Sequence, residues 1–205
     1  MILTRQMVER AREHSPWDFG NQVLYDLCRT HPEHTDASTV IAKVWLIGRS
    51  YAAAIERRRD VKSESGDFYV EKVAPKIKDS DIDNWLQIAA SFQSPSAAAL
   101  DTILSVHLSV TQLFGDISGL QKRSLASKYL HFHKPDLFFI YDSRAVNAMR
   151  KLSSVVGRAT RGAGDPEYRK FAQKCIRLQE HIKARFGVSL TPREVDNLLL
   201  NVQAG

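Results

Sequence analysis

Apolar residues recur along most of this chain at intervals of three and four, the spacing that lines one side of an α-helix. Tyr168, Phe171, Cys175, Leu178, Ile182 and Phe186 form one such stripe, and Leu100, Ile103, Leu104, Leu108, Thr111 and Phe114 form another. Between Val40 and Ile55 two stripes lie side by side: Ile41, Trp45, Gly48, Ala52 and Ile55, and next to them Val40, Val44, Ile47, Tyr51 and Ala54. A segment apolar round most of its circumference predicts a central helix. Only Leu137-Phe138-Phe139-Ile140-Tyr141 has the texture of a strand. One such run cannot build a sheet, so an extended connector packed on the core is expected there.

Punctuation supports the helices. Ser15-Pro16, Ser94-Pro95, Asp165-Pro166 and Thr191-Pro192 each set an N-cap residue before a proline, whose missing N–H costs nothing at the first helical position. Asp18 and Glu194 stand three residues after Ser15 and Thr191, as in a capping box. The chain is weakest at Lys62 to Gly66 and at the glycine-rich run Gly157 to Gly164. The second lacks the G-x-x-x-x-G-K-[ST] order of a nucleotide-binding loop and reads as a surface loop able to touch a nucleic-acid backbone. The expectation is an all-α, multi-helix globular domain over residues 1–205, with sub-lobes 1–90 and 91–205 if it divides.

Composition changes this picture little. The 205 residues are 43% hydrophobic and 25% charged, enough for a core without metals or disulfides. Cys28 and Cys175 sit in helix-like apolar patterns and read as reduced core residues of a cytoplasmic protein. The N-terminus has no signal-like apolar run, and Lys43 and Arg49 interrupt the most apolar segment, so no membrane span is expected. No cofactor or metal is expected either. His131-Phe132-His133 sets two imidazoles on different faces of a helix, without further ligands at fitting spacing, and His107 reads as a hydrogen-bonded core histidine.

Charge changes it more. From Lys122 to Arg185 there are fifteen Lys and Arg against five Asp and Glu, a charge of +10, while the rest of the chain carries −4. Such separation points to an oriented electrostatic footprint, and a phosphate backbone is its commonest partner. Nucleic acid, with DNA ahead of RNA, is the expected partner.

The candidate chemistry lies between Gln112 and Met149. A helix is expected to end near Phe114, followed by a tight turn holding Gly115 and Gly119 and a second helix with Lys122, Arg123 and Lys128 in its early turns. The apolar connector comes next, then Asp142-Ser143-Arg144-Ala145, where Asp142 is placed to cap the following helix. A turn of this kind presents main-chain N–H groups to a phosphodiester without reading sequence.

This layout resembles the helix-hairpin-helix DNA glycosylase superfamily, in particular its 8-oxoguanine-glycosylase-like branch. There a hairpin grips the backbone, an apolar connector follows, and an aspartate opening the next helix faces the sugar of a flipped nucleotide. The resemblance implies that Asp142, in Ile140-Tyr141-Asp142-Ser143-Arg144-Ala145, is that aspartate. It also implies that Lys122, twenty residues earlier, or Lys128, fourteen earlier, is the lysine of the bifunctional members. Gly115 and Gly119 enclose three residues where the family's hairpin glycines enclose one, and the iron–sulfur cysteines of some members are absent.

The function this implies is a DNA N-glycosylase, with or without lyase activity, that removes a modified or unusual base after flipping it out. Asp142, Lys122 and Lys128 are the candidate catalytic residues. Arg49, Gly115, Gly119, Arg123, Arg144, Arg158 and Arg161 are the candidate nucleic-acid contacts. Arg49 lies within a long apolar run and would there need an acceptor such as Asp142, Asp18, a phosphate or a flipped base; the exposed strip of its helix is the plainer place for it. Trp17, Trp45, Trp85 and Phe138–Phe139 could stack a base, but most of them fit core periodicity and read as packing residues. Two alternatives stand beside this reading. One is a non-catalytic helical DNA- or RNA-binding module. The other is a helical nuclease or toxin of a defence system, although the Arg-x4-6-His spacing of helical ribonucleases does not occur convincingly.

Overall fold

Eight consecutive residues of one helix, Leu125 to Phe132, are buried on every face, and the rest of the protein is arranged around them. In the computed structural model, which describes residues 2–58 and 66–204, every regular element is helical. In chain order these are α1 (Arg5–Arg10), α2 (Asp18–Thr30), α3 (Ala37–Ser50), a π-helical stretch Tyr69–Val73 running into α4 (Ala74–Lys78), and α5 (Ile82–Ala89). Then follow α6 (Leu100–Ser118), α7 (Arg123–His133), α8 (Ser143–Lys151), the short α9 (Ser153–Val156), α10 (Pro166–Phe186) and α11 (Pro192–Ala204). The all-α expectation holds.

The central helix is α7, with α2, α3 and α6 packed against it. The expectation had placed the Val40–Ile55 segment at the centre. That helix ends at Ser50, and Ala52 takes a positive φ of 50°. The chain then doubles back: Ala53 donates its N–H to the carbonyl of Gly48 at 2.7 Å, and a Cβ on Gly48 would lie 3.1 Å from Ala54 Cα. The glycine is there because a backbone crosses it. Trp45 and Arg49, one turn apart, share an exposed face of α3, so Trp45 is not a core residue. Trp17 is also exposed, whereas Phe138 and Phe139 are buried.

Two of the four proline-marked starts are realised in full. Asp165 caps α10 by accepting from the N–H groups of Glu167 and Tyr168. Thr191 and Glu194 complete a reciprocal capping box at α11, with bonds of 2.7 and 3.2 Å. Ser15 and Asp18 make a similar bond one turn ahead of α2. Ser94-Pro95 starts nothing: α6 begins at Leu100, after a turn in which Ser96 Oγ accepts from Ala99 N–H.

One apolar core runs through helices from both ends of the chain. Cys28 and Cys175 lie in it, unpaired. The predicted connector is also observed, since Leu137 to Ile140 are buried without forming a strand. No helix among the described residues is long and apolar enough to cross a membrane. Of the two expected weak segments, residues 62–65 lie outside the described residues, and the loop from Gly157 to Gly164 joins α9 to α10.

Candidate functional site

The buried position of α7 forces its polar side chains to find partners inside the protein. Ser127 Oγ accepts from Tyr141 N–H at 3.0 Å and lies 2.9 Å from the carbonyl of Ser124, fastening the end of the connector to the helix. That contact sets the start of α8. Asp142 takes an extended backbone (φ −154°) and caps α8 through a 2.9 Å bond from Ala145 N–H to Oδ1. Its other oxygen, Oδ2, faces α7.

Lys128 meets it there. The ammonium lies 3.5 Å from Asp142 Oδ2 and donates to Ser124 Oγ at 2.8 Å. Its side chain is 2% exposed, against 17% for Asp142, so the lysine sits behind the carboxylate and the carboxylate opens outward. Burial pushes the Lys128 pKa below its ordinary value, while Asp142 and then Asp196 hold it up. Arg144, on the exposed side, brings its guanidinium to 3.9 Å from the same Oδ2.

Behind the pair lies a polar network that ties α11 to α2, α3 and α7. Arg193 donates to Tyr25 at 3.0 Å, to Tyr51 at 2.8 Å and to Asp196 at 3.3 Å. Tyr51 donates onward to Asn21 at 2.6 Å. His131 Nδ1 faces the carbonyl of Phe138 at 2.8 Å, so this nitrogen carries the proton and Nε2 accepts from Tyr25 O–H at 2.7 Å. Burial drives the His131 pKa down to about 3, which keeps the ring neutral and this tautomer fixed. Burial likewise pushes the Asp196 carboxyl up to about 6, with Arg193 opposing the rise.

The sequence-predicted residues are dispersed differently from the expectation. Lys122 is turned away from Asp142: its amine donates to the carbonyls of Arg57 at 2.8 Å and Ala54 at 3.5 Å, holding the chain that leaves α3. Burial lowers its pKa, against a rise from Glu56. Arg123 grips Asp165 through two bonds of 2.6 Å and lies over the Tyr141 ring. Arg49 is exposed and pairs with Glu56, not with Asp142 or Asp18. Arg158 and Arg161 are exposed on the 157–164 loop.

The glycine turn also differs. Helix α6 continues to Ser118, so Gly115 is an ordinary helical residue, and Gly119 alone ends the helix with a left-handed φ of 71°. A buried apolar face, including Leu113, Phe114 and Ile117, carries α6 past the expected stop. His107 is a buried core histidine, as expected, stacked on Tyr168 at 3.5 Å with Nε2 toward the carbonyl of Arg123. His131 is inside the core and His133 is partly buried, and no group of ligands able to hold a metal occurs among the described residues.

Sequence reasoning missed Arg193, Asp196, Tyr25, Tyr51 and Ser124. One signal was present. Arg193 and Asp196 stand three apart in a helix whose neighbours Val195, Leu198 and Leu199 are buried, so an acid there had to be buried with a partner.

The fold and site define an all-helical protein with a buried lysine set against a partly open, helix-capping aspartate. The chain belongs to the HI_0787_N family, whose N-terminal domain model matches residues 3–137. No curated protein and no solved structure matches it. The matched region contains Tyr25, Tyr51 and Lys128 and stops within the connector, so Asp142, Arg193 and Asp196 reach the site from outside it.

Proposed function

We propose that this protein excises a base from DNA by breaking an N-glycosyl bond, with Asp142 and Lys128 at the reacting sugar. The observation that carries the reading is the contact between a buried ammonium and the one carboxylate oxygen that the helix cap leaves free, 3.5 Å away. The basic second half of the chain and the resemblance around Asp142 support DNA as the substrate.

In this reading the base leaves with the electron pair of the C1′–N bond and takes up a proton, and Asp142 offsets the positive charge on the sugar, as carboxylates do in glycosidases. Water or the neutral amine of Lys128 then bonds to C1′ and loses one proton, which balances the proton taken up by the base. Burial favours the neutral amine, because desolvation disfavours the charged form. Lys122 keeps its place on the 54–57 backbone and has no part in the bond change.

The test is Asp142→Asn on duplex DNA carrying modified bases. The variant should bind as the wild type does and release abasic sites at least about a hundredfold more slowly. Borohydride should trap the wild type and Lys122→Ala on DNA but not Lys128→Met. Unchanged excision in Asp142→Asn would remove Asp142 from the chemistry, and a wild type that binds DNA and makes no abasic sites on any modified base would leave a non-catalytic helical binding module.

A further inference from the structure

A cleft of about 530 Å³ opens between α6 and the loop leading into α10, lined by Leu104, Ser105 and Leu108 on one side and by residues 162–164 and Arg169 on the other. Arg169 is 7% exposed, and one of its N–H groups is taken: Nε donates to the carbonyl of Ala163. Asp101, also on the lining, comes no closer than 3.8 Å to Nη2 and is itself 93% exposed at the rim. The guanidinium therefore faces the cleft with hydrogen-bonding capacity that no protein group among the described residues fills. A buried cation in that condition favours an anion beside it.

The loop is shaped to the same end. A Cβ on Gly162 would lie 2.5 Å from the Arg169 guanidinium, so the missing side chain lets the backbone rest directly on the cation. Gly164 has a φ of +87°, and a Cβ there would meet Leu104 at 3.0 Å. The N–H groups of residues 162–164 meet no protein acceptor among the described residues. The start of α10 adds nothing, because Asp165 already occupies its first N–H groups. The Ala163 carbonyl holds Arg169 Nε, which leaves the two terminal nitrogens of the guanidinium as the hydrogen-bond donors facing the cleft.

We infer that this cleft is a phosphate site that holds one phosphodiester group of the nucleic-acid backbone at the terminal nitrogens of the Arg169 guanidinium. The identification of the phosphate as part of DNA rests on the reading given above. Leu104 and Leu108 provide an apolar wall for the adjoining sugar. A backbone grip here would do the work that the sequence had assigned to a Gly115–Gly119 hairpin.

Asp101→Asn and Ser105→Glu test it from opposite directions at exposed positions. Inorganic pyrophosphate titrated into the wild type should shift the Arg169 Nε–H signal in NMR spectra with a saturable curve. Asp101→Asn should tighten that binding about threefold by removing the competing carboxylate. Ser105→Glu should weaken it at least about tenfold. With a duplex oligonucleotide, Ser105→Glu should reduce the slope of log affinity against log salt by about one. An Arg169 signal that does not move, or moves alike in all three proteins, overturns the site. Equal oligonucleotide salt slopes in wild type and Ser105→Glu overturn its use for DNA. Abasic-site release by the wild type is scored separately: its absence sinks the enzyme reading and leaves the pyrophosphate curves to decide the cleft.

Discussion

Asp142 offers Lys128 only Oδ2, because Oδ1 is held by the N–H of Ala145 at 2.9 Å. One carboxylate thus does two jobs through separate atoms: it caps a helix and it faces a buried ammonium. Asparagine caps about as well as aspartate. Asp142→Asn therefore separates the two jobs, preserving the start of α8 and removing the charge beside Lys128.

The glycines on either side of the α6 terminus give a simple check of how that helix ends. Gly115 is helical, and an added Cβ would come no nearer than 3.8 Å to Leu120 O, so Gly115→Ala should stabilise by about 0.5–1 kcal/mol. Gly119 needs its left-handed φ, so Gly119→Ala should destabilise by about 1 kcal/mol. Urea unfolding of the two variants should move in opposite directions. A loss of stability in both would restore the wider turn between them.

These two residues also show what the sequence could reveal. Caps were legible where the side chain itself makes the bond, as at Asp165 and the Thr191–Glu194 pair, because that chemistry is local. Helix ends governed by packing were not. Phe114 to Ser118 stay helical because a buried face continues, and Ala52 leaves the helix because the chain turns back over Gly48. Asp142 was legible as a cap. Its partner was not, since choosing Lys128 over Lys122 depends on which face of α7 looks toward the connector. Arg193 and Asp196 come from the far end of the chain, and no local pattern ties them to Tyr25 or Tyr51.

The tautomer of His131 makes Tyr25 a test of the interior network. Tyr25→Phe would leave buried His131 Nε2 without its donor and part-buried Arg193 Nε without its acceptor. The cost should be about 1–3 kcal/mol, read as a lower urea midpoint with unchanged slope. Nitrogen NMR should still report Nδ1 as the protonated atom, fixed by Phe138 O. A variant as stable as the wild type would show that the network is not closed as described.

Asp165 joins two functions in the same way as Asp142, capping α10 while accepting both bonds from Arg123. Asp165→Ala removes the cap and leaves a part-buried guanidinium unpaired, for a loss of about 3 kcal/mol. Asp165→Asn keeps the cap and should lose about half as much. Burial alone would raise the Asp165 pKa, but the Arg123 side chain, the N–H of Tyr168 and His107 hold it below the ordinary carboxylate value. Its contribution is therefore present above the unfolded pKa and is lost as pH falls through the lower folded one. The gap between wild type and Asp165→Asn should close in strong acid, and a gap that widens there would contradict the pairing.

Asp196 has the opposite sign. Burial raises its folded pKa to about 6, while the unfolded side chain titrates near 4. Between those values the native state keeps a proton that the unfolded state releases, so stability is fully present below about pH 4 and is lost as pH rises through about 6. A difference of roughly two units corresponds to on the order of 3 kcal/mol. The groups that face it are Arg193 on its own helix, Lys128 on α7, and Asp142 and Arg144 at the start of α8. Asp196→Asn resembles the protonated acid at every pH. The wild type should therefore match this variant near pH 3.5 and fall below it by several degrees in Tm at pH 8. Asp165 contributes equally to both proteins and cancels. Parallel curves from pH 3.5 to 8 would mean that Arg193 and Lys128 keep Asp196 ionised throughout, and the interior behind Lys128 would then be a settled ion cluster with no proton to exchange.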